Sequence, residues 1–306
     1  MRKNIYKTID PGQISVGAFH QYLLGAVIPR PIALAGTVDK AGRFNLSPFS
    51  FFNVFGANPP IMIFSPSRRV RDNTDKHTLE NVREIAEVMI HMVDYDMVEQ
   101  MSLSSTEYDK GINEYIKAGF QAKPGDLIRP LRIIGAPVAF ECKVINVIET
   151  GSEGGSGNLV VSEVLRMHIR EDLLDENDMI DPVEMDVVCR LGGDWYGRIN
   201  SENLFEIPKP IRSKGIGIDQ LPDFIMNSHM FTGNQLARLA NVEALPSKEY
   251  LDGLNHTFKQ IEKEGADMKT RNHVLMRWVY ECIEQNEAMK ALALLYLGHA
   301  SGMLEV

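Results

Sequence analysis

The sequence has only three cysteines, Cys142, Cys189 and Cys282, and they are far apart along the chain. No CxxC pair occurs, so nothing in the spacing indicates a zinc knuckle or a dithiol redox motif. Isolated cysteines of this kind are typical of buried free thiols in a reducing compartment. We therefore expect three unpaired, buried thiols and no metal site.

Positive charge and long apolar runs are also scarce. The chain carries 32 Lys and Arg against 41 Asp and Glu, a net charge of −9. Nucleic-acid-binding proteins usually show a basic excess, so we expect no nucleic-acid partner. No apolar run reaches the roughly 18 residues of a membrane span. The charged start MRKNIYKTID lacks the apolar stretch of a signal peptide, so we expect a cytoplasmic protein without a membrane partner.

The 306 residues are many for one compact core and few for three domains. Residues 26–200 alternate short apolar runs with turns, whereas helical spacing prevails from about residue 213. We predict a mainly β domain over 1–212 and an α-helical C-terminal extension over 213–306. Many strands with few helices favour a closed or partly closed barrel.

Short apolar segments predict the strands of the first domain. They are residues 30–39, 60–65, 87–94, 136–150 and 157–169. Glycine tolerates positive φ, so Gly42 is expected to turn the first of these strands back into residues 43–47. Helical spacing predicts a helix over 75–87, and shorter ones in VEQMSLS and NEYIKAG.

The glycine-rich segment GSEGGSG, residues 151–157, lies between two predicted strands. It has neither the G-x-G-x-x-G spacing nor a GK[ST] element, and a strand rather than a helix follows it. This context predicts a flexible hairpin loop and not a nucleotide site.

The C-terminal extension contains three amphipathic helix patterns, over residues 247–265, 270–283 and 286–298. Ser247 is expected to cap the first helix and Gly265 to end it. Asn286 and Gly298 are expected to begin and end the last one. Packed helices of this kind favour a structural or dimer-stabilising addition, the alternative being a lid or partner surface.

Positive charge gathers in one place, the segment SPSRRVRDNTDKHT at residues 65–78. It holds Arg68, Arg69, Arg71 and Lys76 against Asp72 and Asp75. The helix predicted to start there offers unpaired N–H groups and a positive dipole end to an anion. Arg68 would supply a planar fork of donors for phosphate oxygens, and Thr78 a hydroxyl. The alternative is a solvated loop with surface ion pairs.

The segment RFNLSPFSFFNVFGANPPIMIF, residues 43–64, is strongly apolar yet contains small polar residues. In a strand, Asn45 and Ser47 share one face and Ser50 falls on the other. Pro48 lacks an N–H donor, so we expect the ladder to break or bulge there and let Ser47 and Ser50 reach one site. A ligand could then approach the backbone closely; the alternative is a solvent-facing polar edge with an edge-strand proline.

Three elements occur in an order that resembles one known family. They are IPRPIALAGTVDKAGRFNLSPFSFFNVFGANPPIMIFS, then SRRVRDNTDKHTLENVRE, then RLGGDWYGRI. The sequence is similar, over about residues 14–205, to the flavin-reductase-like family of FMN-binding split barrels, which includes flavoredoxins. The resemblance implies a homodimer of six-stranded Greek-key barrels with FMN at the dimer interface.

The same resemblance implies which residues bind the cofactor. Asn45, Ser47, Ser50 and Phe51 would meet the flavin and its ribityl-phosphate tail, and Arg68, Lys76 and Thr78 would hold the phosphate. Arg30 would lie near the flavin, and residues 191–196 beside the site with Trp195 or Tyr196 near the ring. Two positions depart from the family pattern: His77 stands where Asp is usual, and Ser47 where Ala is usual.

The resemblance implies an oxidoreductase that passes hydride from NADH or NADPH to FMN and on to a small-molecule or protein acceptor. Flavin accepts hydride itself, so no catalytic acid–base pair is predicted. Three alternatives stay open, because fold does not determine function. They are a flavoredoxin-like FMN electron carrier, an FMN-dependent oxidase or oxygenase of a small organic substrate, and a helical interaction protein whose barrel is only a scaffold. His91 and His168 are predicted to be structural.

Overall fold

The computed structural model describes residues 5–207 and 214–304. The chain divides into two compact units, one ending at Phe205 and one beginning at Glu206. The boundary predicted between residues 212 and 213 lies outside the described residues.

The first unit is built around an antiparallel sheet of seven strands. In chain order the strands of this unit are β1 (Ala33–Val38), β2 (Phe44–Phe49), β3 (Phe52–Ala57), β4 (Pro60–Phe64), β5 (Glu87–His91), β6 (Ala122–Pro124), β7 (Leu131–Ile133), β8 (Val138–Glu149), β9 (Asn158–Ile169), β10 (Val188–Arg190) and β11 (Tyr196–Arg198). The order in the large sheet is β2-β1-β5-β8-β9-β4-β3, while β6 pairs with β7 and β10 with β11.

The two strands at opposite ends of this order, β2 and β3, are joined by Ser50 and Phe51 alone. Two residues can span only a few ångströms, so the two edges of the sheet must meet there. The sheet therefore closes on itself, as the predicted mainly β split barrel requires. It has seven strands where the resemblance implies six, because the bent segment contributes one strand to each edge.

The bend does not lie at Pro48, where we expected the ladder to break. Pro48 stays in register opposite Leu34 of β1, and β2 continues to Phe49. β2 ends the strand order, so it pairs on one side only, and an edge strand tolerates a residue without an N–H donor. The register is lost two residues later, at Ser50 and Phe51.

The helices of the first unit are α1 (Val16–Ala26), α2 (His77–Glu84), α3 (Val98–Ser104) and α4 (Glu114–Lys117). Leu79 and Val82 of α2 are buried in the barrel core beside Phe64, Ile90 and other apolar residues. The helix is shorter than the predicted span 75–87, because the chain becomes extended at Ile85 and enters β5 at Glu87. Helix α1 was not predicted from the sequence, and it contains no buried residue.

The second unit is helical. Its helices are α5 (Asp223–Met226), α6 (Gly233–Leu239), α7 (Lys248–Glu264), α8 (Met268–Glu284) and α9 (Ala288–Ala300). As predicted, the Ser247 hydroxyl caps α7, accepting a hydrogen bond from the Tyr250 N–H, and Gly265 follows its last residue. The helices pack around one apolar core that includes Phe258, Ile261 and Leu275.

The predicted limits of the last helix were wrong at both ends. Asn286 has a φ of 60° and precedes the cap, and the helix runs past Gly298 to Ala300. A Cβ on Gly298 would lie only 2.3 Å from a methyl carbon of Leu275. The glycine therefore serves close packing of α9 against α8. The positive φ just beyond the helix belongs to Gly302.

The three cysteines are free and buried, as predicted. Across the two described ranges, no helix is long and apolar enough to cross a lipid bilayer.

Candidate functional site

Two neighbouring cavities of the first unit meet at the cationic segment that precedes α2. One, the polar cavity, is lined by small hydroxyl, amide and charged side chains. They include Asn45, Ser47, Arg69, Lys76, His77, Thr78, Ser104, Glu107 and Glu114. The other, the apolar groove, runs along α1 and includes Val16, Phe19, His20, Leu23, Phe51, Arg68, Val70 and Arg71. Arg69, Lys76 and Glu107 line both.

The wall of the polar cavity joins strand β2 to the start of helix α2. The Asn45 amide donates a hydrogen bond of 3.2 Å to the Thr78 hydroxyl, and both side chains are buried. Ser47 lies two residues along the same strand, so it shares the face of Asn45. Lys76 is the N-cap of α2, and no side chain caps that helix start. The structure thus brings together four residues that the sequence placed in the site.

Arg68 is engaged in its own turn. Its guanidinium donates to the Asn73 side chain at 2.7 Å, to the Asn73 carbonyl at 2.5 Å and to Asp75 at 2.6 Å. Arg68 lines the apolar groove, whereas its neighbour Arg69 lines both cavities. Arg69 belongs to the cationic segment but was not among the predicted site residues.

Glu107, which was not among the predicted site residues, contacts three of the cations. Its carboxylate accepts hydrogen bonds from Arg69 Nε at 3.2 Å, Lys76 Nζ at 3.4 Å and Arg71 Nη2 at 3.3 Å. The hydrogen bond from Arg69 is the main cause that holds the pKa of Glu107 below its usual range. Glu107 follows α3 in the loop SSTEYDKG, and nothing in that stretch indicates a partner more than thirty residues away.

The loop GSEGGSG connects β8 to β9, as predicted, and it supports the cationic segment. The Arg68 N–H donates to the Ser156 carbonyl at 2.9 Å, and the Gly155 N–H donates to the Arg68 carbonyl at 3.0 Å. A Cβ on Gly154 would lie 3.1 Å from the carbonyl oxygens of Arg69 and Val70. The glycines therefore allow a close backbone approach that holds the cations in place.

Arg30 is buried where the end of α1, the bend between β2 and β3, and residue 191 meet, and it does not line either cavity. Its guanidinium donates to the carbonyls of Leu24 and Val27 at the end of α1, to the Leu191 carbonyl at 2.6 Å and to the Ser50 hydroxyl at 3.4 Å. Burial lowers the pKa of Arg30 from its ordinary value. Arg30 and Ser50 line neither cavity; their contacts fix the bend between β2 and β3 against residue 191.

The two predicted aromatic residues lie in different places. Phe51 lines the apolar groove, and its ring meets His20 edge-on with 6.0 Å between centroids. Trp195 lies in the turn between β10 and β11, is 76% exposed and lines neither cavity. That turn approaches α1 closely, since a Cβ on Gly192 would lie 3.1 Å from the Cα of Gly25.

His91 is structural, as predicted, whereas His168 lies in a group with Asp126 and Glu141. His91 is fully buried; its Nδ1 donates to the Leu34 carbonyl and its Nε2 accepts from the Ile133 N–H, each at 2.9 Å. His168 contacts the buried carboxylate of Glu141 at 2.7 Å. That carboxylate also accepts the backbone N–H groups of residues 126–128, so its oxygens are already committed.

Residues 24–184, more than half of the chain, match the family model of the flavin reductase like domain. The chain belongs to the flavin reductase like family. This membership confirms the resemblance inferred from the residues, and the matched residues lie within the first unit.

Relatives and solved structures agree with this family. An uncharacterized protein of Halalkalibacterium halodurans is 34% identical over 208 residues, covering 67% of this chain and 98% of the relative. Nitrilotriacetate monooxygenase component B from Bacillus cereus is 26% identical with a TM-score of 0.63, covering 67% of this chain and 100% of its own. The 2-nitrobenzoate 2-nitroreductase of Pseudomonas fluorescens is 29% identical with a TM-score of 0.59, covering 68% and 100%.

Proposed function

We propose that this flavin-reductase-like protein is an FMN-binding oxidoreductase that takes hydride from NADH or NADPH and passes electrons to a second acceptor, a small molecule or a protein. The observation that supports it most strongly is the meeting of Asn45, Ser47, Lys76 and Thr78 in one polar cavity. These residues come from two separate motifs, and the cavity opens beside a groove that contains Phe51.

The residues present fit a phosphorylated flavin. Arg69, Arg71 and Lys76 converge on one carboxylate, so the site already holds an anion among three cations. A phosphate monoester carries nearly two negative charges at neutral pH. The uncapped start of α2 and the Thr78 hydroxyl add hydrogen-bond donors. The neighbouring groove offers aromatic and aliphatic side chains to a planar ring system.

Bound FMN would supply the hydride chemistry. The chain itself would bind and orient it. Lys76 and Arg69 would neutralise the phosphate. The Thr78 hydroxyl, held by Asn45, would donate a hydrogen bond to a phosphate oxygen. Ser47 would fix the ribityl chain, and Phe51 would contact the ring. Ser50 and Arg30 would act by holding the bend on which Phe51 stands.

The test uses the purified full chain with FMN and with NADH or NADPH, following nicotinamide absorbance. We expect oxidation of one nicotinamide faster than with the same concentration of free FMN. A flavoredoxin-like carrier would retain FMN through gel filtration but oxidise nicotinamide no faster than free FMN. That result, or a protein that binds no FMN, would contradict the reductase proposal.

A second candidate is direct reduction of a small aromatic acid. The apolar groove is lined by Phe19, Leu23 and Phe51 together with Arg68 and Arg71, which suits a planar ring with one carboxylate. The 2-nitrobenzoate 2-nitroreductase of Pseudomonas fluorescens is among the similar structures. If the candidate is correct, 2-nitrobenzoate will stimulate nicotinamide oxidation and nitrobenzene, which lacks the carboxylate, will not. Equal stimulation by both compounds would contradict it.

We also propose a homodimer with the flavin at its interface. Large apolar side chains are exposed around the bend and the end of α1, which supports an interface there. They are Val27, Ile28, Phe51, Val54 and Phe55. Multi-angle light scattering should give twice the 34.4 kDa mass of one chain. A monomer at micromolar concentration in the presence of FMN would contradict the proposal.

A further inference from the structure

Glu107 lies outside every motif identified in the sequence, yet it pairs with cations of the segment before α2. It lies after α3, whereas the cations that it contacts belong to the segment before α2. Its two carboxylate oxygens are divided between Arg69 and Lys76 on one side and Arg71 on the other, at 3.2 to 3.4 Å. Its side chain is 44% exposed. The carboxylate therefore lies at the surface and can move away without opening the barrel core.

The carboxylate is an internal counter-ion for Lys76 and for the Nε of Arg69, whose Nη1 already donates to the Thr74 hydroxyl and the Asp75 carbonyl. It lines both the polar cavity and the apolar groove, and so do Arg69 and Lys76. The low pKa of Glu107 keeps it ionised at neutral pH. A ligand phosphate and this carboxylate would compete for the same N–H donors, and two anions in contact repel each other.

We propose that Glu107 is a specificity-determining residue that competes with the phosphate of the ligand for Lys76 and Arg69. This inference rests on the proposed FMN site and deepens it. The carboxylate must leave Lys76 and Arg69 when a phosphate group binds, so its charge lowers the affinity for phosphorylated ligands. It does not act on ligands without a phosphate. Glu107 thus sets how strongly the protein retains FMN and how readily it releases it.

The variant Glu107→Gln tests this, because it removes the charge and keeps the shape. The dissociation constants of FMN and riboflavin are measured by flavin fluorescence for both proteins. We expect Glu107→Gln to bind FMN about tenfold more tightly, as loss of one nearby like charge implies. Riboflavin affinity should change less than about twofold, since riboflavin has no phosphate.

Glu264→Gln is the matched control. Glu264 belongs to the second unit, forms an exposed ion pair with Arg277 at 2.9 Å, is 45% exposed, and lines neither cavity. The substitution makes the same change in net charge, so FMN affinity should stay close to that of the unchanged protein. An equal gain in Glu264→Gln and Glu107→Gln would overturn the proposal, because it would be an effect of net charge.

Inorganic phosphate provides a readout that does not depend on flavin. Phosphate should raise the melting temperature of Glu107→Gln at about tenfold lower concentration than that of the unchanged protein, with sodium chloride of equal ionic strength as the reference. Unchanged FMN affinity, an equal gain for riboflavin, or an unchanged phosphate response would each overturn the role of Glu107. If neither protein binds FMN, the proposed cofactor fails, and the phosphate response alone decides whether Glu107 competes with phosphate.

Discussion

The Asn45 amide and the Thr78 hydroxyl are joined by a buried hydrogen bond of 3.2 Å. One residue belongs to the second strand and the other to the first turn of α2, and they are 33 positions apart. The bond orients the Thr78 hydroxyl at the wall of the polar cavity. An apolar strand and a cationic segment of the sequence thereby form one cavity wall.

Replacing Thr78 by Val should weaken both folding and FMN binding. The substitution keeps the shape but leaves the buried Asn45 amide without its acceptor, which costs about 1–3 kcal/mol of unfolding free energy. It also removes the hydroxyl that we propose donates to the phosphate, so FMN affinity should fall about fivefold to tenfold. Urea unfolding and a fluorescence titration measure the two effects.

The matched control is Thr37→Val. Thr37 accepts a buried hydrogen bond of 3.0 Å from the Asn81 amide, and it lines neither cavity. We expect a similar loss of unfolding free energy with unchanged FMN affinity. If both variants lose FMN affinity equally, the effect comes from reduced stability and Thr78 has no special part in binding.

Replacing Lys76 by Ala should lower FMN affinity at least tenfold and leave riboflavin affinity unchanged. Charge-assisted hydrogen bonds contribute about 1.5–3 kcal/mol, and Lys76 is the N-cap of the helix that faces the polar cavity. Lys290→Ala is the control, because Lys290 pairs with Glu287 in the second unit and lines neither cavity. Equal loss of FMN and riboflavin in Lys76→Ala would argue against a phosphate contact.

Replacing Gly154 by Ala should weaken FMN binding severalfold without unfolding the barrel. The new Cβ would press on the carbonyl oxygens of Arg69 and Val70 at 3.1 Å and displace the cationic segment. Gly253→Ala in α7 is the control, since its Cβ would meet nothing within 4 Å. Circular dichroism should match the unchanged protein in both variants. Unaltered FMN affinity in Gly154→Ala would show that the glycine loop does not position the cations.

Stability should fall as the pH drops from about 6.5 towards 4, because of His91. Burial lowers the pKa of His91 to about 4, while the unfolded chain keeps the ordinary value of 6.5. Between these values the unfolded state binds a proton that the folded state does not, so unfolding becomes more favourable. His91 accounts for up to about 3 kcal/mol of this loss. The measurement is urea unfolding at several pH values.

The variant His91→Gln separates this residue from other titrating groups. Glutamine has a donor and an acceptor for the Leu34 carbonyl and the Ile133 N–H, but it does not titrate. Its unfolding free energy should change less steeply over the same pH range. An identical slope in both proteins would mean that His91 is not the group responsible.

Local patterns predicted the regular elements well where one period continued over many residues. The long strands β8 and β9 were predicted within two residues of their ends, and so were α7 and α8. The N-terminal helix α1 was missed because it buries no residue and so lacks a clear apolar stripe. Gly298 was misinterpreted as the end of the helix. The sequence does not distinguish a glycine that ends a helix from one that allows close packing, here against Leu275.

The sequence predicted only some of the residues that line the two cavities. Asn45, Ser47, Lys76 and Thr78 line one cavity, and Phe51 and Arg68 line the neighbouring groove. Arg30 and Ser50 instead fix a bend, and Trp195 lies in an exposed turn. Arg69 and Glu107 emerged only from the structure, because adjacent arginines cannot be told apart by spacing and an ion pair between distant segments leaves no periodic trace.

By itself, the sequence determined the class of the fold, the extent of most strands and helices, and the chemistry available to a phosphate in residues 65–78. Each depends on neighbours along the chain, through apolar period, turn residues and local charge. The tertiary structure alone decided where the sheet closes and which arginine lines both cavities. It also decided that Glu107 is the counter-ion of the cationic segment. These features join segments far apart in sequence, and their geometry exists only once the barrel has brought the segments together.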